Sequence, residues 1–192
     1  DWTAYPFATQ NRKDFGNLLD VYLDAVFFSR LDPLDFAQEG HRVEFENDDS
    51  SQPLVFKGVV FNEMKGAMSS TPSVLWDRLC HELFPSNTYH FNSGGDPEHI
   101  PDLTYQELRD FYADHYHPSN AIFLTFGDMT AEAHQHVFEA SVLHRFTALE
   151  RKIEVALEAP FDAPRQAIHP YAVDAEEGSE NKTHLVMGWK LG

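Results

Sequence analysis

The sequence predicts an α+β fold, with helices packed on one side of a mixed or antiparallel sheet. Three observations carry that expectation. Apolar residues recur at helical spacing in several long segments, shorter stretches alternate as strands do, and the segments do not follow the strict rhythm of a parallel sheet. Trp2 to Thr9 is aromatic and β-compatible, with Pro6 tolerated at an edge, and reads as a strand. From Asp14, the expected N-cap, Phe15, Leu18, Leu19, Tyr22, Val26 and Phe27 trace a helix ending near Ser29. Leu31 to Gly40 reads as a loop. His41 to Glu46 alternates, Asn47 to Gln52 is a polar turn, and Leu54 to Phe56 completes a hairpin.

Gly58 to Met68 switches to helical periodicity, with Val59, Val60, Glu63, Met64 and Ala67 on one face. Pro72 opens the next helix, which runs through Val74, Leu75, Leu79 and Leu83 to a stop at Pro85. A long loop covers Asn87 to Asp102. Thr104 and Glu107 form a capping box for a helix from Tyr105 to Tyr116, stopped by Pro118. Ala121 to Phe126 reads as a buried strand and Thr130 to Glu150 as the longest helix. Three prolines and the acidic run Asp174 to Glu180 mark a linker over 159–180, and His184 to Leu191 reads as a strand with no room left for partners.

Composition narrows the function. The 192 residues carry 14 Lys and Arg against 31 Asp and Glu, a formal charge of −17, which repels phosphate backbones and anionic lipid. Nucleic acid and membrane surfaces are excluded as partners on that ground, and basic peptides or cations are favoured. The one cysteine, Cys80, makes no intrachain disulfide, which points to a reducing compartment. No apolar run approaches the roughly 18 residues that cross a bilayer, and Asp1 to Gln10 lacks a signal-peptide pattern. The expected location is the cytoplasm or an organelle matrix. Because the chain opens on Asp1 rather than Met, it is read as starting inside a longer protein.

Glu63 is the residue that resists a bland reading. Lying between Val59 and Ala67, it puts a carboxylate on an apolar stripe, where it must be protonated, paired or bound to a cation. The alternative is a helix glutamate that reaches solvent or pairs with Arg78 or Arg109. The pairs His115 with His117 and His134 with His136 are two residues apart, which on a helix points the rings away from each other, so structural or surface histidine is the simpler reading. Ser93-Gly94-Gly95-Asp96 lacks a phosphate-loop lysine and reads as a tight turn.

Several ordered stretches resemble one family. Asn11 to Phe28, Gly58-Val-Val-Phe-Asn-Glu63-Met-Lys-Gly66, Tyr89 with Ser93-Gly-Gly-Asp-Pro97, Ile100-Pro101, Leu103-Thr104 and His117-Pro-Ser-Asn120 are similar to the presequence protease branch of the pitrilysin and insulinase-like zinc peptidases. That resemblance implies a zinc-dependent endopeptidase that cuts unfolded peptides in an enclosed chamber. It maps the third zinc ligand onto Glu63, beside an inverted His-x-x-Glu-His motif that supplies two imidazoles and the general base. No such motif occurs here, since Glu39-Gly40-His41 and His81-Glu82 lack the spacing, and no catalytic residue is assigned within the chain. The implied organisation is the later part of the first peptidase domain over 1–158, a linker over 159–180, and the first strand of the next domain over 181–192. Zinc is the implied cofactor of the full-length protein. The implied partners are peptide substrates and the remaining domains of the same polypeptide. A noncatalytic, peptide-holding domain of the same family is the alternative.

Overall fold

A computed structural model describes residues 2–150, 153–174, 176 and 178–191. Parts of the expected domain and linker boundaries, at residues 1, 151, 152, 175, 177 and 192, lie outside the described residues. The order of elements is helix α1 (Arg12–Phe27), strands β1 (Arg42–Phe45) and β2 (Leu54–Lys57), and helices α2 (Val59–Ala67), α3 (Thr71–Leu83), α4 (Tyr105–His115) and α5 (Ala131–Ser141). Short helical turns fill 33–40, 46–48, 88–90, 100–102, 118–120 and 143–145. The architecture is α+β, its sheet reduced to one antiparallel pair. The chain divides into two compact units, one of residues 33–103 with 155–192 and the other of 2–32 with 104–154.

In the second unit, α1 starts earlier than the sequence suggests. Asn11, not Asp14, is the cap, its Oδ1 accepting from the amides of Lys13 and Asp14 at 3.0 and 3.1 Å. Asp14 instead places its charge in the first turn, where the exposed amides favour an anion. The apolar face includes the expected Leu19 and Phe27 and, in addition, Leu23: these three are buried with Phe138 and the fully buried Val142, and Phe15, Phe123 and Phe146 close around them. Tyr112 fastens the end of α1, its hydroxyl donating to the Val26 carbonyl at 2.7 Å and accepting from the Ser29 amide at 3.0 Å. The capping box of α4 is complete. Thr104 Oγ1 accepts from the Glu107 amide, while Glu107 accepts from the Thr104 amide at 2.7 Å.

In the first unit the hairpin forms in register, Val43 opposite Phe56 and Phe45 opposite Leu54. Residues 155–192 lie against α3: Glu158 accepts from the amide and hydroxyl of Ser86, His169 meets Glu82 at 2.9 Å, and Gly188 leaves room for Leu79 and Leu83.

Several expectations are corrected. Trp2 to Thr9, Ala121 to Phe126 and His184 to Leu191 are not strands here, because a strand forms only where a neighbour takes its backbone bonds, and no neighbour does so among the described residues. Ala121 to Phe126 is also not buried: Phe123 packs on Phe27 and Phe138, but Ile122 and Leu124 are 95% and 88% exposed. The helix expected over Thr130 to Glu150 stops at Ser141, since Val142 leaves helical dihedrals to insert into the core. The loop over 31–40 winds into helical turns at 33–35 and 36–40.

Leu23→Ala should lower unfolding free energy by about 2–5 kcal/mol through the cavity it leaves, whereas Leu124→Ser should stay within about 0.5 kcal/mol. Urea denaturation of the two variants tests this. A pH effect follows from the capping box: bonds from the Thr104 amide and then its hydroxyl hold the Glu107 carboxyl below its ordinary range. A depressed native value means its contribution is present above the unfolded-state value and is lost as pH falls through the native one. Thermal melts should therefore show Glu107→Gln less stable than the parent sequence at neutral pH, with the gap closing in acid.

Candidate functional site

Glu63 sits on α2, and three close contacts seat that helix. The first is at its start, where the strand β2 ends and Gly58 turns the chain. Gly58 has extended dihedrals that any residue can adopt, so conformation does not require glycine there. Space does: a Cβ would overlap the Gly40 carbonyl oxygen and come within 2.8 Å of His41 Cα. The second contact is apolar, Phe61 and Met64 burying themselves with Ile100. The third is at the turn Ser93-Gly94-Gly95-Asp96, where Gly94 faces the Met64 sulfur and Gly95, at φ +92, turns beside Ile100. Asn92 Oδ1 accepts from the Gly94 amide and Asp96 from the Glu98 amide, so the turn is held by its own side chains. These glycines serve packing, in line with the tight-turn expectation.

The Glu63 side chain itself is exposed, so the burial that its place on the apolar stripe implied is corrected. The expected stripe divides: Val59, Val60 and Ala67 are exposed beside Glu63, while Met64, expected on the same face, is buried with Phe61. A helix with apolar residues on two sides buries the side with the larger partners, and Phe61 with Met64 finds Ile100. The Glu63 side chain makes no ion pair or hydrogen bond with another described residue, so the pairing with Arg78 or Arg109 is not formed and the side chain reaches solvent, as the alternative reading had it. Among the described residues no three His, Cys, Asp or Glu side chains come together as a metal site.

The histidines are mostly bound into structure. His134 is buried between Phe15 and Phe138, and His117 Nδ1 accepts from the Ser119 amide at 3.1 Å in the turn His117-Pro-Ser-Asn120. Asn120 Nδ2 donates to the His115 carbonyl, and His115 stacks on Phe111 at 3.9 Å. Sequence reasoning missed one cluster. The turn after α3 brings His90 onto His81 with ring centroids 4.0 Å apart, next to the buried Asp77, whose carboxylate is 3.9 Å from His81 Nδ1. The Pro85 turn between residues 81 and 90 was the available signal. Burial, and then the Asp77 charge, push the thiol of the neighbouring Cys80 up.

Comparison with known proteins adds a family and relatives. A profile of the Peptidase M16 inactive domain matches residues 102–192, a stretch that does not include Glu63. The mitochondrial presequence protease of Danio rerio is 48% identical over all of this chain and 19% of its own length. The mitochondrial presequence protease of Mus musculus is 50% identical over 86% of this chain and 16% of its own length. Protein HypA of Clostridium perfringens is 35% identical over the whole chain and 20% of its own length. The chain thus spans about a fifth of the length of the curated relatives it matches.

Gly58→Ala should cost more than about 2 kcal/mol, because the obstacle is backbone, while Gly94→Ala should cost less than about 1 kcal/mol, because the Met64 thioether can swing away. Chemical denaturation of the two variants separates these expectations.

Proposed function

The chain belongs to the presequence-protease branch of the M16 peptidases, and from that membership we propose that it is part of a zinc-dependent endopeptidase that degrades unfolded peptides in an enclosed chamber. Glu63 contributes the third zinc ligand, and the imidazole pair and general base come from outside residues 1–192. The observation that carries this reading is the state of Glu63: a carboxylate without a counterion, on a helix held at its start by the Gly58 contact and along its inner side by Phe61 and Met64. When bound, zinc polarises an amide carbonyl and brings the acidity of a water to about pH 7. Glu63 provides negative charge at a fixed place, beside the exposed apolar side chains of Val59, Val60 and Ala67. The formal charge of −17 favours basic peptides as substrates. Residues 1–158 then form the later part of the first peptidase domain and 159–180 the linker, with 181–192 leading into the next domain. The organelle matrix is the compartment in keeping with the relatives' names. No helix among the described residues is long and apolar enough to cross a membrane.

One observation favours a second role for part of the chain. The family profile over 102–192 is named for an inactive domain, in keeping with a structural or peptide-holding task for those residues while the segment before them carries the ligand.

In the full-length protein Glu63→Gln should reduce zinc content and peptide turnover by at least about tenfold, in line with the loss of a metal ligand, with thermal unfolding of the apo forms unchanged. Retained zinc and turnover would remove the ligand role. A strongly destabilised apo protein would identify a structural carboxylate instead. The chain of residues 1–192 alone should show neither peptidase activity nor stoichiometric zinc.

A further inference from the structure

The β1–β2 hairpin is inside out. Its register sets Val43, Phe45, Leu54 and Phe56 on one face, and that face is the exposed one, with Val43 and Leu54 54% and 61% accessible. The opposite face, half-buried, carries Arg42, Glu44, Val55 and Lys57. There Glu44 accepts from Arg42 Nε and Lys57 Nζ, each at 2.6 Å, and the two cations hold its carboxyl below the ordinary range, the Lys57 bond first. A two-stranded hairpin is marginal by itself and is ordinarily sustained by covering its apolar face. Here the covered face is the charged one. Four large apolar side chains left to water in paired rows mark a contact surface.

We propose that this face is an internal interface of the longer polypeptide, covered by an apolar surface from the part outside residues 1–192. The inference rests on the reading of the chain as one piece of a larger peptidase. The relatives are about five times as long as this chain, so the covering material exists in proteins of this kind. Charge defines the partner further. The turn joining the strands exposes Glu46, Asp48 and Asp49, and bonds from the Ser51 amide and hydroxyl hold the Asp49 carboxyl low, so it stays anionic. The rim is acidic, and the two cations of the hairpin are taken up by Glu44 on the other side. The matching surface is therefore apolar at its centre with a basic residue opposite the turn. Phe56 also meets Phe61 of α2 with ring centroids 6.2 Å apart, so covering the hairpin bears on the helix that carries Glu63.

The test is cysteine labelling of the full-length protein, read at each residue by mass spectrometry in a Cys80→Ser background. Val43→Cys and Leu54→Cys should react with a maleimide at least about tenfold more slowly than Ser50→Cys at the turn. Equal rates would overturn the proposal. Protection that disappears on dilution would assign the face to a second copy, and protection that appears only with added peptide would assign it to substrate. Either result overturns it too. Using two face positions keeps the test open if one variant fails to fold. The labelling reads cover and not chemistry, so a protected hairpin in a protein without zinc fails the peptidase reading alone, and an unprotected one in an active zinc enzyme fails the interface alone.

Discussion

Two glycines whose backbones touch hold the first unit together. Gly40 ends the turn before β1 and Gly58 follows β2, so their contact closes the base of the hairpin and launches α2 in a fixed direction. From that start, Phe61 and Met64 fall on Ile100, and the Gly94 turn accommodates the Met64 sulfur. The orientation of Glu63 is a downstream result of this chain of contacts. A side chain at position 58 would push backbone against backbone, which cannot relax by a rotamer change as a side-chain clash can.

What the sequence made legible was local. The capping box of Thr104 and Glu107, the apolar face with Leu19 and Phe27, and the hairpin each depend on residues a few positions apart. What it hid was non-local. Ala121 to Phe126 has the composition of a strand, but a strand is defined by what lies beside it. The face of α2 was misjudged for a related reason: Met64 was placed with Val59, Val60 and Ala67, and only the presence of Ile100 turns it inward with Phe61. The end of α5 was hidden because Val142 breaks the helix by inserting into a core made by α1, with no proline or glycine to announce it. The exposure of Glu63 was hidden in the same way, since the stripe on which it was placed divides between solvent and core.

Several of the cations in this acidic chain are engaged by neighbours. Arg12 is spent on Asp128 and Arg42 and Lys57 on Glu44, while Arg145 lies over the Phe28 ring and Arg165 and Lys190 over Phe161. Carboxylates such as Glu158 and Glu107 are satisfied by backbone amides and hydroxyls, which keeps their charge in place without neutralising it. Exposed apolar side chains accompany this charge on the hairpin, on α2 and along the extended segments around Ile122 and Leu185.

The segment Ile122-Phe-Leu-Thr-Phe126 has a consequence for handling and turnover of the protein. It is extended, uncharged and free of proline, and among the described residues no backbone bond reaches it from a neighbour. Such a segment is a template for self-association into cross-β aggregates whenever it is left uncovered. The strong negative charge and the gatekeeper pair Gly127-Asp128 oppose that outcome.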